Sequence, residues 1–167
     1  IHVDSTASGS NTGADWTNAF TDLQDALAAF GSGDEIWVAA GTYKPTDDFD
    51  AGVSFELPEN IQLYGGFAGT ETSRDERDWT SNTTILSGDI GVPGYEFDNS
   101  QTVVYISSSS GSEIIDGFTV RDGYSNDEFL LGAGVIVSGC TDVVVRHCTF
   151  TANSANNAGG MVLASDY

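Results

Sequence analysis

The sequence predicts an all-β chain, a parallel β-helix (solenoid) closed at its N-terminal end by an amphipathic helix. Three observations carry this. Short β-rich runs recur at coil-length intervals, the last two coils overlay residue by residue, and one early segment changes to helical periodicity.

The β-rich runs are Glu35-Ile36-Trp37-Val38, Asn60-Ile61-Gln62-Leu63, Thr84-Ile85-Leu86, Glu113-Ile114-Ile115 and Val143-Val144-Val145. With Ile36, Ile61, Ile85, Ile115 and Val145 as markers, the steps are 25, 24, 30 and 30 residues. Repeats of that length are one solenoid coil each. A second series half a coil away runs through Val104, Ile136 and Val162, with steps of 32 and 26. Two series in near-constant phase predict two stacked parallel sheets.

At an offset of 30, the run Ile114 to Gly123 lies over Val144 to Asn153, so that Phe118 meets Cys148 and Val120 meets Phe150. Apolar and polar residues alternate there as in a half-buried strand. Gly123 falls over Asn153, two residue types that tolerate positive φ, which predicts a left-handed corner. Gly132-Ala133-Gly134-Val135 similarly overlays Ala158-Gly159-Gly160-Met161.

From Thr17 to Phe30 the apolar positions Phe20, Leu23, Leu27 and Phe30 follow helical spacing, with four alanines and Gly31 as the stop. A helix over residues 17–30 would cover strand edges and core that a first coil otherwise leaves open. At the other end the chain stops at Tyr167 inside a coil begun near Ala158, so the last coil reads as open. The chain is therefore one domain over 1–167, with a cap in 1–34 and successive coils in 35–167.

Charge is lopsided, with 25 acidic residues against Lys44, Arg74, Arg77, Arg121 and Arg146, a formal net charge of −20. On these grounds nucleic acid and anionic membranes are poor partners, and no nucleic acid is expected to bind. No stretch approaches the roughly 20 apolar residues of a membrane span, so no membrane insertion is expected. A start at Ile1 without Met reads as a processed, exported protein. Cys140 and Cys148, eight apart, are a candidate disulfide across a corner, or two small buried residues.

The runs Asp15-Trp16-Thr17-Asn18-Ala19-Phe20 … Leu27, Gly33-Asp34-Glu35-Ile36-Trp37-Val38-Ala39-Ala40-Gly41-Thr42-Tyr43-Lys44-Pro45, Leu63-Tyr64-Gly65-Gly66-Phe67, Ile85-Leu86-Ser87-Gly88-Asp89 and Asp116-Gly117-Phe118-Thr119-Val120 resemble bacterial secreted pectin-lyase-like β-helix repeat proteins. Cys148-Thr149-Phe150 and Asn153-Ser154-Ala155 resemble their outer-membrane-type repeats. The resemblance implies a right-handed parallel β-helix on a secreted or cell-surface protein. It implies no reaction.

A lyase needs carboxylate-held Ca²⁺ and an Arg or Lys base. Arg121 beside Asp122, and Arg146 above Asp116, are the pairs on regular coils. Asp116 and Arg146 fall on adjacent strands about 4.8 Å apart, which suits a cross-strand ion pair. The acidic clusters Asp47, Asp48 and Asp50, and Asp122, Asp127 and Glu128, lie in loops. They are solvated charge or, alternatively, Ca²⁺ ligands. His2 and His147 form no site, and in Arg74 to Trp79 alternating charges are expected to pair with one another and pin Trp79. No catalytic residue and no required cofactor are assigned, with Ca²⁺ the one candidate ion.

The leading expectation is a non-enzymatic structural module that stacks head to tail through its open coil, or continues into a longer surface β-helix. One alternative is a glycan-binding module using Tyr95, Phe97, Tyr124 and Phe129. The other is a fragment of a polysaccharide lyase or hydrolase.

Overall fold

A computed structural model describes residues 1–31, 33–107, 111–126 and 132–164. The fold is mainly β and its sheets are parallel, as the periodicity predicts. The first sheet runs in the order His2–Val3, Glu35–Ala39, Gln62–Phe67, Ser112–Asp116 and Asp142–Arg146. The second contains Phe55–Glu56, Val104–Ser107, Val135–Ser138 and Met161–Ala164, and the third Gly41–Tyr43, Thr84–Ser87, Phe118–Arg121 and Thr149–Thr151. Tyr124–Ser125 pairs with Ser154–Ala155. Parallel neighbours cannot be joined by a tight hairpin. From Glu35–Ala39 onward the chain visits the other two principal sheets before returning to each one, whereas His2–Val3 is joined to Glu35–Ala39 through residues 4–34 without, among the described residues, a strand in another sheet. The shared interior is apolar, with Ile36, Leu63, Leu86, Val104, Val120 and Val135 all fully buried.

The offset of 30 holds between the last two repeats, with Arg146 in register with Asp116 and Phe150 with Val120, and Gly132 forms a bridge to Ala158. The marker series needs three corrections. Ile85 belongs to the third sheet, paired with Thr42 and Thr119, while Leu63 pairs directly with Ile115 in the first. Val104 aligns with Val135, and Ile136 with Tyr105. There are three principal sheets where two were expected. The cause lies in the choice of markers: Ile85 is half-exposed between buried Thr84 and Leu86, so the most apolar residue of that run is not its inward one. Ile136 likewise lies between Val135 and Val137, which pack into the core.

The helix is shorter than expected, Leu23–Ala29 instead of 17–30. Phe20 is taken by the first sheet: its N–H donates to His2 O, its carbonyl accepts from Asp4 N–H, and it bridges Val3 in parallel. Asp22 then caps the helix, accepting from Gln24 N–H at 2.8 Å. Leu23, Ala26 and Leu27 face the core, so the amphipathic reading of that face is correct.

Left-handed corners occur one residue before the expected positions, at Asp122 (φ 61°) and Ala152 (φ 54°). Gly123 serves another purpose: a Cβ there would lie 2.1 Å from Ala133 O, so the backbones meet where only glycine fits. Asn153 joins the two 30-residue repeats with its amide, accepting from Gly123 N–H and donating to Val120 O, each at 2.9 Å.

The last strands, Asp142–Arg146, Thr149–Thr151 and Met161–Ala164, are each at a sheet edge and no longer alternate fully buried residues. Leu163 is 69% exposed.

Candidate functional site

Register builds one column across the first sheet. His2 pairs with Trp37, Trp37 with Tyr64, Tyr64 with Asp116, and Asp116 with Arg146. The upper part of the column is aromatic, with Trp37 stacked on Phe67 at 5.0 Å and Trp16 and His2 against them. The lower part is charged, and the segment around the short 3-10 turn Arg74–Glu76 lies over it.

That segment anchors through two arginines. Arg74 Nη1 lies 2.6 Å from Glu35 Oε1 and its guanidinium sits over the Tyr64 ring. Arg77 reaches deeper: Nη2 donates to Asp116 Oδ2 at 2.6 Å, and Nη1 donates to the carbonyls of Gly65 and Asp116. The expected pairing of charges within 74–79 is therefore corrected. The acidic members turn back on their own loop, Glu76 accepting from Thr72 and Ser73 N–H and Asp78 from Thr80 and Ser81. That frees the arginines for the sheet.

Asp116 is inaccessible to solvent and receives three groups. Besides Arg77, whose side chain is 7% exposed, Arg146 Nε donates to Oδ2 at 2.8 Å, and His147 Nδ1 lies 2.8 Å from Oδ1. The His147 contact suits the tautomer with a proton on Nδ1. Burial pushes the Asp116 carboxyl up. The hydrogen bonds from His147 and Arg146, and the charge and hydrogen bond of Arg77, outweigh it, so the group titrates below its ordinary value. His147 adopts a left-handed backbone (φ 51°) where the preceding repeat has Gly117 (φ 88°), and its ring stacks on Trp79 at 4.2 Å. An open cleft of about 470 Å³ borders this stack, lined also by Thr80, Thr83, Thr119 and Thr149.

Arg77, Arg146 and His147 are thus all held by the one Asp116 carboxylate. The expected Asp116–Arg146 ion pair is present. Arg121 pairs with Asp122 at 2.9 Å, and Asp122 Oδ2 also accepts from Ser87 Oγ.

Of the candidate Ca²⁺ ligands, Asp50 accepts from Gly52 N–H within its own turn, and Asp47 lines a groove with Asp22 and Lys44. Asp48 donates its N–H to Thr46 Oγ1. Asp127 and Glu128, with Phe129, lie outside the described residues. Among the described residues, no three His, Cys, Asp or Glu side chains gather as a metal-ligating group.

Cys140 and Cys148 are free thiols, which corrects the candidate disulfide. The strand Asp142–Arg146 separates them; at about 3.3 Å per residue its ends stand some 13 Å apart, well past the ~7 Å limit for bridged Cα atoms. Burial pushes the Cys148 thiol up, and its Sγ donates to Arg146 O and Ile115 O.

Sequence reasoning missed the roles of Arg77 and His147. His147 was within reach, because the offset of 30 sets it over Gly117 and beside Asp116. Arg77 gave no signal, since its contact depends on how a loop folds back.

Compared with models of protein families, with curated proteins and with solved structures, the chain matches none.

Proposed function

We propose that the chain is the capped end of a right-handed parallel β-helix and serves as a non-enzymatic structural module of a secreted or cell-surface protein. The interleaving of the three parallel sheets supports the β-helix, since from Glu35–Ala39 onward each return to a sheet passes through the other two. The observation that carries the structural role is the difference between the two ends. At one, Phe20 and the helix Leu23–Ala29 cover the His2–Val3 edge and the core. At the other, three edge strands leave Val143, Val145, Cys148 and Phe150 half-buried and Leu163 largely exposed. Unpaired edges above an apolar interior call for more β-structure.

Head-to-tail stacking would set this open rung against a covered end, where the helix and Phe20 offer the first sheet no free strand. That contrast favours further coils, or another open rung, as the cover. The non-catalytic reading is supported by the structural partners of Arg77, Arg121, Arg146 and His147.

Sedimentation velocity over a range of concentrations tests the open rung. Reversible association is expected, suppressed by Leu163→Lys, which places a charge on the edge strand. A monomer at every concentration would count against it, and filaments in electron micrographs would restore head-to-tail stacking.

A second reading, glycan binding, is favoured by one specific feature. Tyr95, Phe97 and Tyr124 form a row of edge-to-face rings 5.5 and 5.1 Å apart, with Tyr95 and Phe97 more than half exposed. Aromatic faces of this kind stack on sugar rings. Titration with soluble polysaccharides, with and without EDTA, separates this reading from the first.

A further inference from the structure

We propose that the excursion following the strand Thr84–Ser87 binds Ca²⁺ on Asp89 Oδ1, Asp98 Oδ1 and Asn99 Oδ1, with Ser100 Oγ as a fourth ligand. This site does not involve Asp47, Asp48 or Asp50, and it does not depend on what covers the open rung.

The feet of the excursion are pinned together. The N–H groups of Ile90 and Ser100 both donate to Gly88 O at 2.8 Å, which brings Asp89 alongside Asn99 and Ser100. The two carboxylates then divide their oxygens in the same way. Asp98 Oδ2 accepts from Val92 N–H at 2.9 Å, and Asp89 Oδ2 from Gly94 N–H at 3.1 Å. Each Oδ1 is buried without a hydrogen-bond partner. Gly91 lets the Asp98 carboxylate close in, since a Cβ there would lie 2.4 Å from Asp98 Cγ.

The independent observation comes from two neutral side chains. Asn99 is 6% exposed and Ser100 is 0% exposed, yet Asn99 Oδ1 and Ser100 Oγ also have no partner. Most buried side-chain oxygens are hydrogen-bonded, and a group of exceptions points to a ligand. Here four such oxygens belong to the two pinned feet of one excursion. Two carboxylates, an amide oxygen and a hydroxyl are hard donors of the kind Ca²⁺ collects, whereas Zn²⁺ prefers nitrogen and sulfur. With only two carboxylates, the set differs from a cluster of three or more acidic, His or Cys ligands, which the described residues lack.

The test is a Ca²⁺ titration of the whole chain at physiological ionic strength, with Mg²⁺ as the control for diffuse attraction to a strongly acidic protein. Isothermal calorimetry is expected to give one saturable Ca²⁺ site in the millimolar range or tighter. Asp89→Asn and Asp98→Asn should each weaken it at least tenfold, while Asp47→Asn combined with Asp48→Asn leaves it unchanged. Amide resonances of wild-type protein provide a readout that needs no variant: Ca²⁺ should shift those between Gly88 and Gln101. No saturable binding, or shifts confined to other segments, would overturn the site. So would equal affinity in the folded Asp89 and Asp98 variants.

Discussion

Gly123→Ala is expected to be strongly destabilising. A methyl group there would sit 2.1 Å from Ala133 O and 2.8 Å from Ala133 C, and both are backbone atoms of the packed interior. The neighbour cannot rotate away as a side chain would, so two backbones must separate. The strain also falls on the hydrogen bond from Gly123 N–H to Asn153 Oδ1. Overpacking in cores costs about 1–3 kcal/mol, occasionally more; a backbone obstacle puts this substitution at or beyond the upper end. Gly160→Ala is the matched control, because its nearest neighbour would be Phe150 Cβ at an ordinary 3.7 Å. Urea unfolding followed by circular dichroism should show a large fall in midpoint for the first. The second should stay within about 0.5 kcal/mol of wild type.

Removing the Asp116 carboxylate should have an effect of similar size. Asp116→Ala leaves Arg77 buried with no charge to meet it, and breaking a buried pair from one side costs about 3–5 kcal/mol. Conversion at a few degrees per kcal/mol predicts a fall in Tm on the order of 10 °C. The dependence on pH has a definite sign. The folded carboxyl titrates below its unfolded value of about 3.9. Its contribution is therefore complete above that value and is lost as the pH falls through the lower, folded one. The stability gap between wild type and Asp116→Asn should be widest near neutrality and shrink in acid. A gap independent of pH would show that the carboxylate acts through shape alone.

These two residues illustrate what the sequence makes legible. The overlay at 30 residues correctly aligns Asp116 with Arg146 and Gly123 with Asn153, because both belong to strands and corners whose spacing the repeat controls. The amphipathic face of the helix is legible for the same reason. Its true start is not, since Phe20 satisfies helical spacing equally well as the residue that pairs with Val3. Ile85 misleads because hydrophobicity alone does not tell an inward residue from a half-exposed one on the outer face. Arg77 and the segment around Trp79 lie beyond local pattern altogether. Their contacts join positions 39 residues apart through a loop that obeys no period.

Among the described residues, strands remote in sequence pair in parallel, and from Glu35–Ala39 onward no strand pairs with the next one along the chain. Cross-strand nuclear Overhauser effects in isotope-labelled protein test this most directly. Contacts between α and amide protons are expected to link Ile85 with Thr119 and Thr119 with Thr149, and likewise Ile115 with Leu63 and Val145. Antiparallel contacts between Ser112–Asp116 and Phe118–Arg121, as a hairpin would give, would contradict the account.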